Sequence, residues 1–313
     1  MKKLILILLL INAIVDAKAQ AVFENGSGDA IILRNDTLKS FFNFRANTAS
    51  ESFVLSYIGT SNLKDYIVDP TKRVFRTLMI GGDLKFKVKD GLGSVYKDKK
   101  LNTGISLAFI IGVQKETYDT KTPMPTTPRS IYFKAGFSYD KYTMLDTLAA
   151  TQLDHKKMEP FLTAHYNKFY SWQTANKKDF YGLFGFSFGY KKTNNTESLD
   201  DGVGFNTIST IGTYLVGEQT DGKLGDFSQY DSFPLSLDFG IIPKMFDKNM
   251  IGFNFYGRAK FNQPKTPVNL GTGIFFAKDN EPTNVIGGIG WQVNNVGNKP
   301  NSSVFVYIGY TIK

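Results

Sequence analysis

The chain has 313 residues, 42% of them hydrophobic, with 29 Gly, 27 Phe, 16 Tyr, no Cys and a formal charge of +9. The missing cysteine excludes a disulfide-stapled secreted scaffold and a cysteine-ligated zinc site. A basic balance suits nucleic acid, but the N-terminus argues for export, which leaves no nucleic acid to meet and turns the charge toward anionic solutes and lipopolysaccharide phosphates.

The first element, residues 1–19, reads as a signal peptide. Lys2 and Lys3 form a positive n-region, Leu4 to Val15 is apolar apart from Asn12, and Ala17-Lys18-Ala19 places small residues where a signal peptidase reads, before Gln20. The apolar run is too short for a spanning helix, which needs roughly 20 residues. No cysteine follows the cleavage site, so the chain is not a lipoprotein. No later stretch is long and apolar enough for a transmembrane helix, which excludes a helical inner-membrane protein.

Residues 20–39 are polar around Asn25-Gly26-Ser27-Gly28 and read as a periplasmic lead-in with little fixed structure. From residue 40 to 313, apolar–polar alternation recurs in segments separated by turn-rich stretches, the pattern of an all-β transmembrane antiparallel β-barrel. Residues 40–58 form one long strand or a hairpin about Asn47-Thr48-Ala49-Ser50. Further strands are expected near 76–89, 101–116, 130–143, 157–171, 179–192, 203–217, 232–243, 249–262, 268–278, 284–295 and 302–313. Taking 40–58 as one strand makes twelve, an even number that puts both termini in the periplasm; the hairpin would make thirteen, which single-chain bacterial barrels avoid.

On this count the outer loops include 60–75, 117–129, 172–178, 218–231, 263–267 and 296–301, and the periplasmic turns include 90–100, 144–156, 193–202, 244–248 and 279–283. Pro123, Pro125 and Pro128 keep 117–129 from pairing as a strand. The alternation is cleanest in three places. Phe184, Phe186 and Phe188 oppose Leu183, Gly185 and Ser187; Ile251, Phe253, Phe255 and Phe261 point outward against Asn254, Tyr256, Arg258 and Lys260; and Val304, Val306, Ile308, Tyr310 and Ile312 share the apolar face of the last strand.

The Lys-Lys signal with Gln20 after Ala19, the Tyr/Phe/Gly-rich strands and the closing run from Val306 to Lys313 together resemble outer-membrane barrels of the Bacteroidota. The resemblance covers most of the mature chain as a style of sequence, and implies insertion by the barrel assembly machinery. Such barrels usually end on an aromatic; here Ile312 takes that place and Lys313 follows it.

The chemistry suggested is that of a lumen. Lys85, Lys87 and Lys89 alternate with Leu84, Phe86 and Val88, so an outward apolar face sends three ammonium groups inside; Lys134, Arg258 and Lys260 join them, with Asp140 and Asp238 as counter-charges. A charge facing lipid near the midplane costs about 2–4 kcal/mol, which favours inward placement. Such a lining makes a porin-like channel for small anionic solutes, unless Tyr256 and Tyr307 close it. One alternative is a structural, adhesive or assembly-accessory barrel acting through 60–75 and 218–231; another is a lipid hydrolase built on His165 with Ser171 or Ser187. His155 falls in an expected turn, as a solvated side chain. No cofactor is implied. Two His without Cys make a poor zinc site, Asp221, Asp226 and Asp231 miss EF-hand spacing, and Gly287, Gly288 and Gly290 fit packing against an aromatic better than a phosphate loop. Asp36-Thr37-Leu38 and Asp146-Thr147-Leu148 resemble Bacteroidota O-glycosylation sites in segments placed in the periplasm.

Overall fold

Twelve strands, each hydrogen-bonded on both sides, make a ring in the computed structural model. The structure describes residues 21–24, 30–33, 40–47, 52–69, 72–88, 96–97, 100–101, 103–119, 128–146, 151–173, 179–196, 199–211, 214–243, 251–262, 268–278, 281–296 and 299–312. The ring strands are β1 (Ser40–Asn47), β2 (Ser52–Asp69), β3 (Lys72–Val88), β4 (Thr103–Asp119), β5 (Arg129–Asp146), β6 (Thr151–Gln173), β7 (Asp179–Asn194), β8 (Gln229–Ile242), β9 (Ile251–Phe261), β10 (Val268–Lys278), β11 (Glu281–Val296) and β12 (Lys299–Ile312). Each pairs antiparallel with its chain neighbour, and β12 closes on β1 through pairs running from Tyr307 with Asn47 to Ile312 with Phe42. One circuit of the register drifts by about 14 residues, which at ordinary strand spacing tilts the strands by roughly 40°, within the range closed barrels use.

Side-chain alternation decides which face is which. Along β4, Leu107, Phe109, Ile111 and Val113 are 40–53% exposed, while the intervening Ala108, Ile110 and Gln114 are at most 4% exposed. The same division holds around the ring: Phe253 and Phe255 outward against Asn254 and Tyr256, Val304 and Val306 outward against Phe305. An apolar outer face and a mixed interior are what a barrel in lipid requires. Pro234 is accommodated where the β7–β8 pairing is interrupted, between Phe188–Leu235 and Lys191–Ser232, with no change of register.

The expected total of twelve is correct through two errors that cancel. Residues 40–58 are not one strand, because Ser52 pairs back on Asn47 and begins β2. Residues 203–217 are not a ring strand; they belong to a hairpin, Asp200–Ile211 with Tyr214–Leu224, whose strand pairing with the ring is a short parallel one of Lys223 and Leu224 with Met144 and Leu145. Alternation reports a strand but not its partner. Residues 60–75 are likewise not a loop, since β2 and β3 run through them to Asp69 and from Lys72.

These shifts reverse the first half of the loop assignment. Connections after β2, β4, β6, β8 and β10 meet the end where β1 begins and β12 finishes; the others, including the two longest, 89–102 and 195–228, meet the opposite end. Outer-membrane barrels keep short turns in the periplasm and long loops outside, so the first is the periplasmic end. The connections within 117–129 and 172–178 therefore join strands at the periplasmic end, and those within 90–100, 144–156 and 193–202 at the outer end, against expectation. Asp146 closes β5 at the outer end, while Thr147, Leu148 and the motif at Asp36 lie outside the described residues, as do Pro123, Pro125 and residues 1–19.

The segment read as an unstructured lead-in contains a second hairpin, Ala21–Glu24 paired with Ala30–Leu33. Its first strand comes within 8 Å of β11 and its second within 8 Å of β6. Those walls face each other, five strands apart one way and seven the other. A hairpin this short reaches both only by crossing the interior of the ring or its mouth.

Candidate functional site: the lumen

The interior is ordered from end to end. In β6, β7 and β8 the inward residues toward the periplasmic end are Phe169, Tyr181, Leu183 and Ile242, and they join Phe275 and Phe305 in one buried apolar cluster. Ile58, Met79, Ile110 and Tyr132 form a second across β2 to β5. Toward the outer end of the same strands the inward residues are Lys85, Lys87, Asp140, Lys157, Glu159, Lys191, Arg258 and Lys260.

Four aromatics lie against the wall instead of across the lumen. Phe275, Tyr256, Phe305 and Tyr132 each pair in register with a glycine of the next strand: Gly252, Gly271, Gly290 and Gly112. A Cβ built on Gly252 would come 2.0 Å from the Phe275 ring, and one on Gly271 2.1 Å from that of Tyr256. The bare backbone is thus the seat of the ring. Tyr256 also donates to Gln292 Oε1 at 3.0 Å, and Arg258 lies 5.8 Å from its ring centroid. Gly290 does pack beneath a large aromatic, though it is Phe305; its chain neighbour Trp291 faces outward. The Tyr307 side chain lies outside the described residues.

Between the two zones sits a charged layer. Asp83 is buried, bonded to Lys134 Nζ and 3.8 Å from Arg45 Nη2, which donates to Ser56 Oγ at 2.9 Å. The buried carboxylate draws both cations to it, Arg45 buried and Lys134 a quarter exposed, and the set keeps a net charge of +1. His165 stacks on Tyr132 with centroids 4.5 Å apart, and its Nε2 is 2.8 Å from Thr163 Oγ1.

Of the residues expected to line the lumen, Lys85, Lys87, Lys134, Asp238, Arg258 and Lys260 all lie on inward positions of their strands; Lys89 lies outside the described residues. Lys134 is engaged with Asp83, apart from the outer basic group. Sequence reasoning missed Arg45, Asp83, Lys157, Glu159 and Lys191. Asp83 was legible, two residues before Lys85 on the same face; Arg45 was hidden in the segment counted as one strand in preference to a hairpin.

The histidines also differ from expectation. His155 is not in a turn but within β6, half-buried and stacked on Phe227 at 4.6 Å. Phe227 also lies 5.9 Å from Lys157 Nζ. Both partners are inward, so Phe227 lies on the lumen side of the outer mouth, beside Asn195, which donates to Asp226 O and accepts from Ser228 N. His165 has Ser187 as its register partner, yet the Ser187 hydroxyl bonds Ser236 and the imidazole bonds Thr163. It faces the lumen, away from acyl chains outside the barrel.

A closed ring of even strand number, apolar outside and mixed within, defines an outer-membrane β-barrel protein, and the chain is one. No family model matches it, and no curated protein matches its sequence. Among solved structures it is similar to the β domain of the Bordetella autotransporter BrkA, at 8% identity and TM-score 0.41, over 87% of this chain and 96% of that one. The transport unit of the autotransporter AIDA-I from Escherichia coli follows at 9% and 0.36, over 89% and 91%, and the CymD monoaromatic hydrocarbon channel at 11% and 0.32, over 94% and 85%. Likeness at this level adds nothing beyond the fold already described.

Proposed function

We propose that the protein is an outer-membrane channel for small anionic solutes, kept partly closed by its own N-terminal hairpin. The observation that carries the reading is the basic excess toward the outer end of the lumen, where Lys85, Lys87, Lys157, Lys191, Arg258 and Lys260 face Asp140 and Glu159. A lining of that sign draws anions in and disfavours cations. The hairpin supplies the restriction, because its backbone approaches both β6 and β11. Export by the signal ending at Ala19, insertion by the barrel assembly machinery, an outer leaflet of lipopolysaccharide and a Bacteroidota origin complete this reading, on the sequence features alone.

Planar-bilayer conductance under a salt gradient tests it. The wild type should show a small anion-selective conductance, deletion of residues 21–33 should enlarge it, and the triple variant K85E/R258E/K260E should reverse its ion preference. An unchanged reversal potential in that variant overturns the basic-lumen mechanism. A second reading, a barrel acting through its outer surface, draws on Phe227 seated at the outer mouth; silence with the hairpin both present and deleted would favour it.

A further inference from the structure

Among the described side chains, the outward face of the ring carries few charges, and they are not scattered. Arg76 pairs in register with Lys115, Lys115 with Arg129, and Arg129 with Lys168. Four adjacent strands, β3 to β6, thus place four cationic residues in one unbroken row. All four take the outward parity of their strands, alternating with inward Thr77, Gln114, Ser130 and Asn167. Among the described side chains, the only other outward charges of the ring are Lys192 and Asp231, cross-strand partners of opposite sign at the outer end.

Like charges directly opposite each other on a sheet are destabilising, and here the clash is repeated three times. The row is thus a concentrated positive patch on the outer wall, complementary to an anionic surface. The row lies near the periplasmic ends of its strands. The next outward row toward the middle is apolar, with Leu78 pairing Val113, Val113 pairing Ile131 and Ile131 pairing Tyr166. The cations therefore stand where acyl chains give way to headgroups. Lys168 Nζ also rests 4.2 Å from the Tyr170 ring centroid, an arrangement suited to the interface. Three interstrand spacings give the row a length of roughly 14 Å, enough for more than one phosphate.

We propose that Arg76, Lys115, Arg129 and Lys168 form a binding site for anionic glycerophospholipid headgroups of the inner leaflet, the phosphates lying along the row. The site is independent of conduction, since its side chains point away from the lumen.

The test uses the full-length protein refolded in non-ionic detergent, with phosphatidylglycerol or phosphatidylcholine of the same chain length added and retained lipid measured by native mass spectrometry. At about 1 kcal/mol for each basic group near a lipid surface, partly screened, the wild type should prefer phosphatidylglycerol by about tenfold or more. R76Q/K115Q/R129Q/K168Q should abolish the preference while keeping the heat-dependent gel shift of a folded barrel and the wild-type conductance. Should that variant fail to fold, K115Q/K168Q must still weaken the preference and K115R/K168R must restore it. Equal retention of the two lipids by the wild type, or an undiminished preference in the glutamine variants, overturns the proposal. Displacement of phosphatidylglycerol from the row by lipopolysaccharide at equal concentration overturns the inner-leaflet assignment.

Discussion

The two ends of the lumen use the same twelve strands for different ends. Toward the periplasm, inward positions of β6 to β8 and β10 carry Phe169, Leu183, Ile242 and Phe275, packed on each other and on glycines, while β3 to β6 carry buried Thr77, Gln114, Glu116, Ser130 and Asn167. Toward the outside, the same strands carry lysines, arginine and carboxylates. The Asp83 layer separates them, and there each charge has an opposite neighbour. The contrast teaches that burial governs charge in this interior. In the Asp83 layer the buried arginine and carboxylate are held against each other; toward the outer mouth a larger basic excess gathers around Asp140 and Glu159.

The largest effect is expected where that rule is broken at mid-height. Asp83→Asn leaves Arg45 and Lys134 without their buried anion and should cost about 3–5 kcal/mol, read as a lowered urea midpoint of the folded barrel. Lys85→Gln, nearer the outer end, should move the midpoint far less. Equal losses would mean that the two zones do not differ in solvation. Next in size, Gly271→Val pushes a side chain into the Tyr256 ring and should cost about 1–3 kcal/mol. If the midpoint holds, the aromatic seats are not what packs the apolar zone. Smallest in stability is Phe227→Ala, which removes the stack on His155 and the contact with Lys157 and should cost about 0.5–1.5 kcal/mol. Its sharper signature is a larger single-channel conductance, and no change there would remove Phe227 from any role at the outer mouth.

Much of this was legible in the chain. The faces of β4, β9 and β12 follow from period-two alternation, and Arg258 and Lys260 were placed inward because Phe253 and Phe255 must meet lipid. β6 was harder, since Phe161, Leu162, Tyr166 and Phe169 blur the pattern; its inward set is Glu159, Thr163, His165, Asn167 and Phe169. What was not legible is partnership. The Asp200–Leu224 hairpin alternates like any ring strand, and only its pairing with β5 reveals that it lies off the ring. The salt-bridged layer joins residues from β1, β3 and β5, and the basic row spans β3 to β6, so neither is visible within a single segment.

The seam between β1 and β12 also has a bearing on the order of events in time. It joins Phe42 to Ile312, residues separated by nearly the whole ring-forming chain, whereas the β2–β3 hairpin needs only its own neighbours. Contacts between distant residues form slowly, because the intervening chain must first be ordered. By that reasoning the seam is the slowest pairing of the ring, and its closure follows that of the local hairpins.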